Sequence, residues 1–191
     1  MTAASAAPPP SLIRWHYAWY VAAATLVMIA AIASGDRWFL NFVHVITGLM
    51  WTGIDIFMGF ILGPVLRQVD VSVRRAVALR LTPRTLFLMP TLAMITGTTG
   101  WYLADLLGFL ALPWPQFGWV AAALALITLL SIQGFAVLTP TNVMVCLELQ
   151  KPQPDMARIG RLMRLYFVTT ASQGVMQIVM IVIMARFVSG I

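Results

Sequence analysis

Long apolar runs, separated by short polar connections, make up most of this chain. Five runs are long enough to cross a bilayer, and they lie at about 15–34, 38–66, 85–107, 118–138 and 165–187. Roughly 20 predominantly apolar residues are enough for a helix to cross the hydrocarbon core, and only helices and closed barrels satisfy their backbone polar groups there. The pattern therefore predicts an all-α, polytopic membrane helical bundle of five transmembrane helices.

The distribution of basic residues predicts the orientation of this bundle. Ten of the twelve basic residues fall on one side of the predicted membrane, and only Arg37 and Arg186 fall on the other. The ten are Arg14, Arg67, Arg74, Arg75, Arg80, Arg84, Lys151, Arg158, Arg161 and Arg164. Because cytoplasmic loops carry the excess of Lys and Arg, we predict a cytoplasmic N-terminus and a C-terminus outside.

The segments around the apolar runs carry their own signals. Residues 1–13 hold no basic residue and include three consecutive prolines, so we expect a disordered, Pro-rich tail before a single transmembrane domain over 14–191. The turn at 35–37 is short enough to make the first two helices a hairpin. Pro140 is expected to kink or end the fourth helix. Residues 155–164 carry arginine at every third position from Arg158, which is typical of an amphipathic helix on lipid headgroups.

Composition excludes several classes of protein. With 61% hydrophobic and 9% charged residues, the chain lacks the charged residues that cover a soluble domain. The net charge of +6 resides in the connections, so its expected partners are anionic lipid headgroups and not nucleic acid. The single cysteine, Cys146, excludes an internal disulfide, a cysteine-based zinc site and an iron–sulfur cluster.

The second apolar run contains two ionisable residues, His44 and Asp55. A charged side chain at the centre of a membrane helix costs roughly 2.5–3.5 kcal/mol on insertion scales, so such residues usually face protein or water. Helical spacing places His44, Trp51 and Asp55 on one face. Gly59 and Gly63 lie on another face and suit close helix packing.

Polar residues of the other runs reach a similar depth to Asp55, near the midplane. They are Thr96, Thr98, Ser131, Gln133, Gln173 and Gln177. We expect these side chains to surround Asp55 without a cation, which favours its neutral form. Two interpretations follow: Asp55 joins helices as a protonated acid, or it is a functional protonation site.

His44 has three interpretations of its own. It can ligate haem iron, ligate copper, or donate to a backbone carbonyl on a neighbouring helix. His16 lies at the opposite edge of the membrane and is interpreted as part of an interfacial aromatic belt. The methionines whose predicted depth best suits a second metal ligand are Met50, Met89 and Met94. Most methionines in the chain are interpreted as apolar filler of the core.

The segment His44-x6-Trp51-x-Gly53, continuing into Gly59 and Gly63, resembles the His-x6-Trp-x-Gly helix of the copper-resistance D family and related small membrane families. Those relatives include the membrane domain of cytochrome-linked urate oxidases. The resemblance covers essentially one helix. It implies a bundle in the bacterial inner membrane, copper or haem b chemistry, and His44 and Trp51 as cofactor-binding residues, with His44 as the metal ligand.

A more distant resemblance is to the haem-containing protoporphyrinogen oxidase of bacteria, which also starts from a His helix with a following Trp and Gly. The spacing from Trp51 to Gly53 is one residue short of that pattern, and Lys151, the only lysine, lies in a loop. These departures argue against that activity.

Three functions therefore remain open. The first is a protein that handles haem b or copper in membrane redox and electron-transfer chemistry. The second is a non-catalytic accessory subunit of a respiratory or photosynthetic complex, with other membrane subunits or further copies of the chain as partners. The third is a proton-coupled transporter that uses Asp55. Neither catalytic residues nor an enzymatic reaction can be assigned from the residues.

Overall fold

The structure, a computed structural model, describes residues 13–190, and this part of the chain is built from helices and short connections. The all-helical prediction is confirmed. Five long helices follow one another: α1 Trp15–Ser34, α2 Arg37–Gln68, α3 Val71–Leu106, α4 Phe117–Leu149 and α5 Met156–Val188. A short 3₁₀ turn, Phe109–Ala111, lies between α3 and α4. The expected tail over 1–13 falls outside the described residues except for its last position.

The α1–α2 hairpin is produced by local turn chemistry. Gly35 adopts a left-handed conformation with a φ of 64° and closes α1 by donating to the carbonyl of Ile32. Asp36 then begins α2, because its carboxylate accepts a hydrogen bond from the backbone N–H of Phe39 at 2.6 Å. Glycine at the C′ position and Asp at the N-cap are the residue types that these positions favour.

Four of the helices are long and apolar enough to cross a membrane, namely α1, α2, α4 and α5. The remaining long helix, α3, has 36 residues. It is less apolar, since its first half carries four arginines and its second half is rich in threonine and glycine.

Three helices extend well beyond the predicted bounds. The third begins at Val71 and not near residue 85, so most of the arginine-rich segment is helical and accommodates Pro83. The fourth was expected to end near 138 but continues to Leu149. The fifth begins at Met156, so the predicted amphipathic segment is the first part of α5.

The continuation of α2 and α4 past proline depends on a wider helical turn. Two short segments are π-helical, namely Phe57–Leu62 in α2 and Gly134–Leu138 in α4, and they are called π-turns below. The segment that follows contains Pro64 in α2 and Pro140 in α4. Proline lacks an N–H and its ring collides with the carbonyl four residues earlier. A π-turn shifts the hydrogen-bond register by one residue, so the helix bends around the proline and does not end.

The bundle core is a ring of four helices. α2 packs against α3 and α5, and α4 packs against the same two helices, while α1 lies outside against α2 and α3. The contact between α2 and α5 is very close at Gly59, where an added Cβ would lie 2.5 Å from the Cα of Ala171. This is the close glycine packing predicted for that face of α2.

Candidate functional site

A buried carboxyl group lies at the centre of the ring. Asp55 is fully buried, and its Oδ2 accepts a hydrogen bond from Nε2 of Gln177 at 3.0 Å. The other oxygens of this pair, Oδ1 of Asp55 and Oε1 of Gln177, are buried without a hydrogen-bond partner among the described residues. An unsatisfied buried polar atom costs about 1–3 kcal/mol. The pair therefore retains hydrogen-bonding capacity that the surrounding protein does not use.

A cavity of about 30 Å³ adjoins Asp55 and has side chains from α2, α3, α4 and α5 in its walls. Its polar lining residues are Asp55, Thr85, Ser131, Thr139, Asn142, Tyr166 and Gln173. Trp51, Met89 and Leu130 are among its apolar lining residues. This volume has room for one or two water molecules, which polar walls can hold.

The polar wall is itself hydrogen-bonded. Nδ2 of Asn142 donates to Oγ1 of Thr85 at 3.3 Å, and both side chains are within hydrogen-bonding reach of the buried Tyr166 phenol. Gln173 donates from Nε2 to the carbonyl of Leu130 at 2.8 Å. These bonds hold the walls of the cavity in place around the carboxyl group.

His44 occupies a separate place, in the interface between α2 and α3. Its Nδ1 lies 3.0 Å from the carbonyl oxygen of Thr96 and 3.4 Å from Oγ1 of Thr99. A carbonyl oxygen only accepts hydrogen bonds, so in the neutral ring Nδ1 carries the proton. The Nε2 atom is then left with its lone pair, which is the form that ligates a metal.

The His44 ring lies directly against a glycine. A Cβ added to Gly100 would lie 2.8 Å from Cε1 of the ring, and one added to Gly48 would lie 3.3 Å from the Thr96 side chain. Oγ1 of Thr96 also donates to Oγ1 of Thr47 at 3.0 Å. The two glycines thus allow α2 and α3 to approach closely enough for the histidine to reach the Thr96 carbonyl.

The structure brings together some of the predicted site residues and separates others. Asp55 and Gln177 are hydrogen-bonded, and Trp51 and Gln173 line the cavity beside Asp55. His44 is eleven positions before Asp55, which is roughly 16 Å along a helix. Thr98 and Gln133 do not line the cavity, although Oε1 of Gln133 is buried and unpaired within the described chain.

The candidate second ligands to a metal are also dispersed. Met89 lines the Asp55 cavity, whereas Met50 and Met94 are exposed. Among residues 13–190, no group of three or more His, Cys, Asp and Glu side chains could hold a metal ion. His44 therefore belongs to no such group within the described chain.

Sequence reasoning missed four polar residues of the cavity wall, namely Thr85, Thr139, Asn142 and Tyr166. The available signal was Asn142, a polar side chain in an otherwise apolar run just after Pro140. Because the fourth helix was predicted to end before Pro140, Asn142 was assigned to a loop and not to the polar residues around Asp55.

The chain matches no family model, no curated protein and no solved structure. Its fold and its site define it as an all-helical protein that has four helices able to cross a membrane and a buried carboxyl group beside a polar cavity.

Proposed function

We propose that this chain is a bacterial inner-membrane protein that binds haem b or copper through His44 and handles protons at Asp55. The observation that carries the proposal is the bond from Nδ1 of His44 to the Thr96 carbonyl. This bond is the third of the interpretations given for His44, and it is compatible with metal ligation because it leaves Nε2 unprotonated. Metal-ligating histidines almost always donate their second ring nitrogen in this way, which sets the tautomer and the ring orientation. Gly100 provides the space in which the ring is held.

The donor set fits a cofactor with one protein ligand. Nε2 of His44 would be that ligand, and any further ligand would come from a second copy of the chain, another subunit or solvent. When bound, haem or copper supplies one-electron transfer. The protein itself orients the imidazole through Thr96 and increases its basicity through the same hydrogen bond.

Asp55 would exchange protons with water in the adjoining cavity. Its Oδ1 has no hydrogen-bond partner among the described residues, and the adjoining cavity has room for water. Gln177 holds the carboxyl group in place through Oδ2. A proton bound at Asp55 would offset part of the charge change when an electron enters or leaves the bundle.

We propose further that all five long helices cross the membrane, with the N-terminus inside and the C-terminus outside. Support comes from the second half of α3, which contributes Thr96, Thr99 and Gly100 to the His44 interface and Ile95 to a buried core with α1 and α2. A helix that packs at the same depth as α2 must itself lie in the membrane. The arginines at the start of α3 and α5 support a common cytoplasmic side.

A reduced-minus-oxidised absorption spectrum, with metal analysis, tests the proposal on protein purified in mild detergent. We expect stoichiometric haem b or copper in the wild type, loss in His44→Ala, and retention in the matched control His16→Ala, which removes an exposed histidine of α1. A well-folded wild type that contains neither cofactor would refute the cofactor assignment, and full retention in His44→Ala would refute the choice of ligand.

The Asp55 cavity also favours a second candidate, proton-coupled transport. A carboxyl group buried beside a polar cavity in a membrane is a typical element of a proton relay. Proton uptake by liposomes containing the protein, followed with an enclosed pH-sensitive dye, measures this activity. Equal uptake by wild type and Asp55→Asn would argue against it.

A further inference from the structure

A large groove lies at the arginine-rich end of the bundle, away from both His44 and Asp55. It has a volume of about 530 Å³ and lies among the end of α2, the start of α3 and the start of α5. Five arginines line it, and they are Arg67, Arg74, Arg75, Arg161 and Arg164. Its remaining lining is apolar or small, and includes Leu66, Ile159 and Phe167. We call this feature the arginine groove.

The positive charge of the arginine groove is not neutralised by ion pairs. No carboxylate lines it, and the ion pairs within residues 13–190 join Glu148 to Lys151 at 2.8 Å and to Arg158 at 3.3 Å, outside the groove. Asp155 caps α5 by accepting from the backbone N–H of Arg158, and that bond lowers the pKa of Asp155. Nε of Arg74 donates to the carbonyl of Val69 at 3.0 Å, and Asp155 attracts Arg161 at longer range. Arg67, Arg75 and Arg164 are therefore the most available guanidinium groups.

We propose that the arginine groove binds one anionic phospholipid, with its phosphate on the arginines and an acyl chain along Val71, Met156 and Met163, the more exposed apolar residues of its lining. Guanidinium groups bind phosphate through paired, charge-assisted hydrogen bonds. Basic pockets between membrane helices on the cytoplasmic side are suited to lipid headgroups. The inference does not depend on a cofactor at His44, and it stands if that proposal fails.

The size and lining of the groove favour a lipid over a soluble phosphate compound. A volume near 530 Å³ lies within the range of pockets that enclose a drug-sized molecule, about 300–1,000 Å³. Inorganic phosphate would leave most of that space and all of the apolar wall unoccupied. A headgroup followed by the first part of an acyl chain uses both the charge and the apolar surface.

Native mass spectrometry of the full chain measures this binding, with dioleoylphosphatidylglycerol as the probe and dioleoylphosphatidylcholine for comparison. We expect one retained phosphatidylglycerol and no retained phosphatidylcholine. Each arginine near an anionic surface contributes roughly a fivefold effect, so Arg75→Gln with Arg164→Gln should weaken retention about 25-fold.

The matched control removes the same charge outside the groove. Arg80 and Arg84 lie on the exposed face of α3, donate to carbonyls of their own helix, and do not line the groove. Arg80→Gln with Arg84→Gln should change retention less than twofold. An equal loss in both double variants would show general charge attraction and would overturn the proposal.

A second pair of variants tests the acyl site without changing charge. Gly160 lines the groove, and a Cβ added there meets nothing within 4 Å, so Gly160→Leu should fold and occupy the groove. We expect about tenfold weaker lipid retention. Gly53→Leu, also in open space but on α2 outside the groove, should retain lipid normally.

Competition with inorganic phosphate distinguishes a lipid headgroup from a free phosphate ion as the group that the arginines bind. Millimolar phosphate should not displace the retained lipid, because it lacks the acyl chain. Displacement by phosphate, or unchanged retention in Gly160→Leu, would overturn the lipid assignment.

Discussion

The neighbours of His44 and Asp55 decide the chemical state of these side chains. The Thr96 carbonyl assigns the proton of the neutral His44 ring to Nδ1, and the absence of a side chain at Gly100 leaves room for that ring. Gln177 binds one oxygen of Asp55, and the other oxygen has no partner among the described residues. A histidine and an aspartate on a lipid-facing side of α2 would have none of these hydrogen-bond partners.

The placement of His44 predicts different effects for two glycines of α3. Gly100→Ala puts a Cβ within 2.8 Å of the imidazole, whereas Gly97→Ala puts one 3.9 Å from Ile127, an ordinary contact. We expect Gly100→Ala to displace the ring from the Thr96 carbonyl and to reduce cofactor content severalfold. Gly97→Ala should keep the wild-type content. The ratio of cofactor absorbance to protein concentration measures both, and equal content in the two variants would contradict the prediction.

The hydrogen bond between Asp55 and Gln177 leads to a prediction about the stability of the bundle. Asp55→Asn keeps the shape and a polar partner for Gln177, so we expect the free energy of unfolding to change by less than about 1 kcal/mol. Asp55→Leu leaves the buried Nε2 of Gln177 unpaired and should cost about 1–3 kcal/mol. Thermal unfolding in detergent compares the two variants. An equal or larger loss in Asp55→Asn would show that the hydrogen bond to Gln177 does not stabilise the bundle.

Infrared spectroscopy tests the protonation state directly. The wild type should show the carbonyl band of a protonated carboxyl group at neutral pH, since burial without a nearby cation favours the neutral acid. Asp55→Asn should lose this band. Its persistence in the variant would assign the band to another acid.

Among the helices, α2 is the most constrained. Its π-turn bends it around Pro64, and Gly59 within that turn contacts the backbone of α5. Backbone atoms cannot move aside as a flexible side chain can, so the contact depends on the absence of a Cβ. The bend and the glycine together bring α2 against α5, where Gln177 meets Asp55.

A bulkier residue at Gly59 should therefore separate α2 from α5. Gly59→Val is expected to destabilise the bundle by about 3 kcal/mol, the upper end for overpacked cores. Gly53→Val places its side chain in open space and should change the free energy of unfolding by less than about 1 kcal/mol, because valine is, if anything, the better helix former. Unfolding midpoints in a common detergent measure both. Similar midpoints for the two variants would show that α2 and α5 tolerate separation.

For the whole molecule, the number of crossings determines where the ends lie. Five crossings put the two termini on opposite sides of the membrane, and four put them on the same side. Alkaline phosphatase, which is active only outside the cytoplasm, should be active when fused to the C-terminus and inactive when fused after Gln150. Green fluorescent protein at the same positions should give the reverse pattern. Fluorescence at the C-terminus would refute the five-span orientation.

The helices themselves were largely predictable, because their signals are local. Apolar length predicted the bundle, and the Gly35–Asp36 turn predicted the α1–α2 hairpin. The start of α3, the end of α4 and the start of α5 were less predictable, since arginine and proline usually mark a loop. Here Pro64 and Pro140 are accommodated by π-turns, and Pro83 lies within a helix.

The sequence by itself determined the class of structure, because hydropathy depends on the chain alone, and residue count predicts a depth for each polar residue. Depth does not determine direction around a helix axis. Only the tertiary structure paired Asp55 with Gln177, excluded Thr98 and Gln133 from the cavity, and added Tyr166 and Asn142 to its wall. Those choices depend on how the helices rotate and bend against one another, which is decided by close contacts such as those at Gly59 and Gly100.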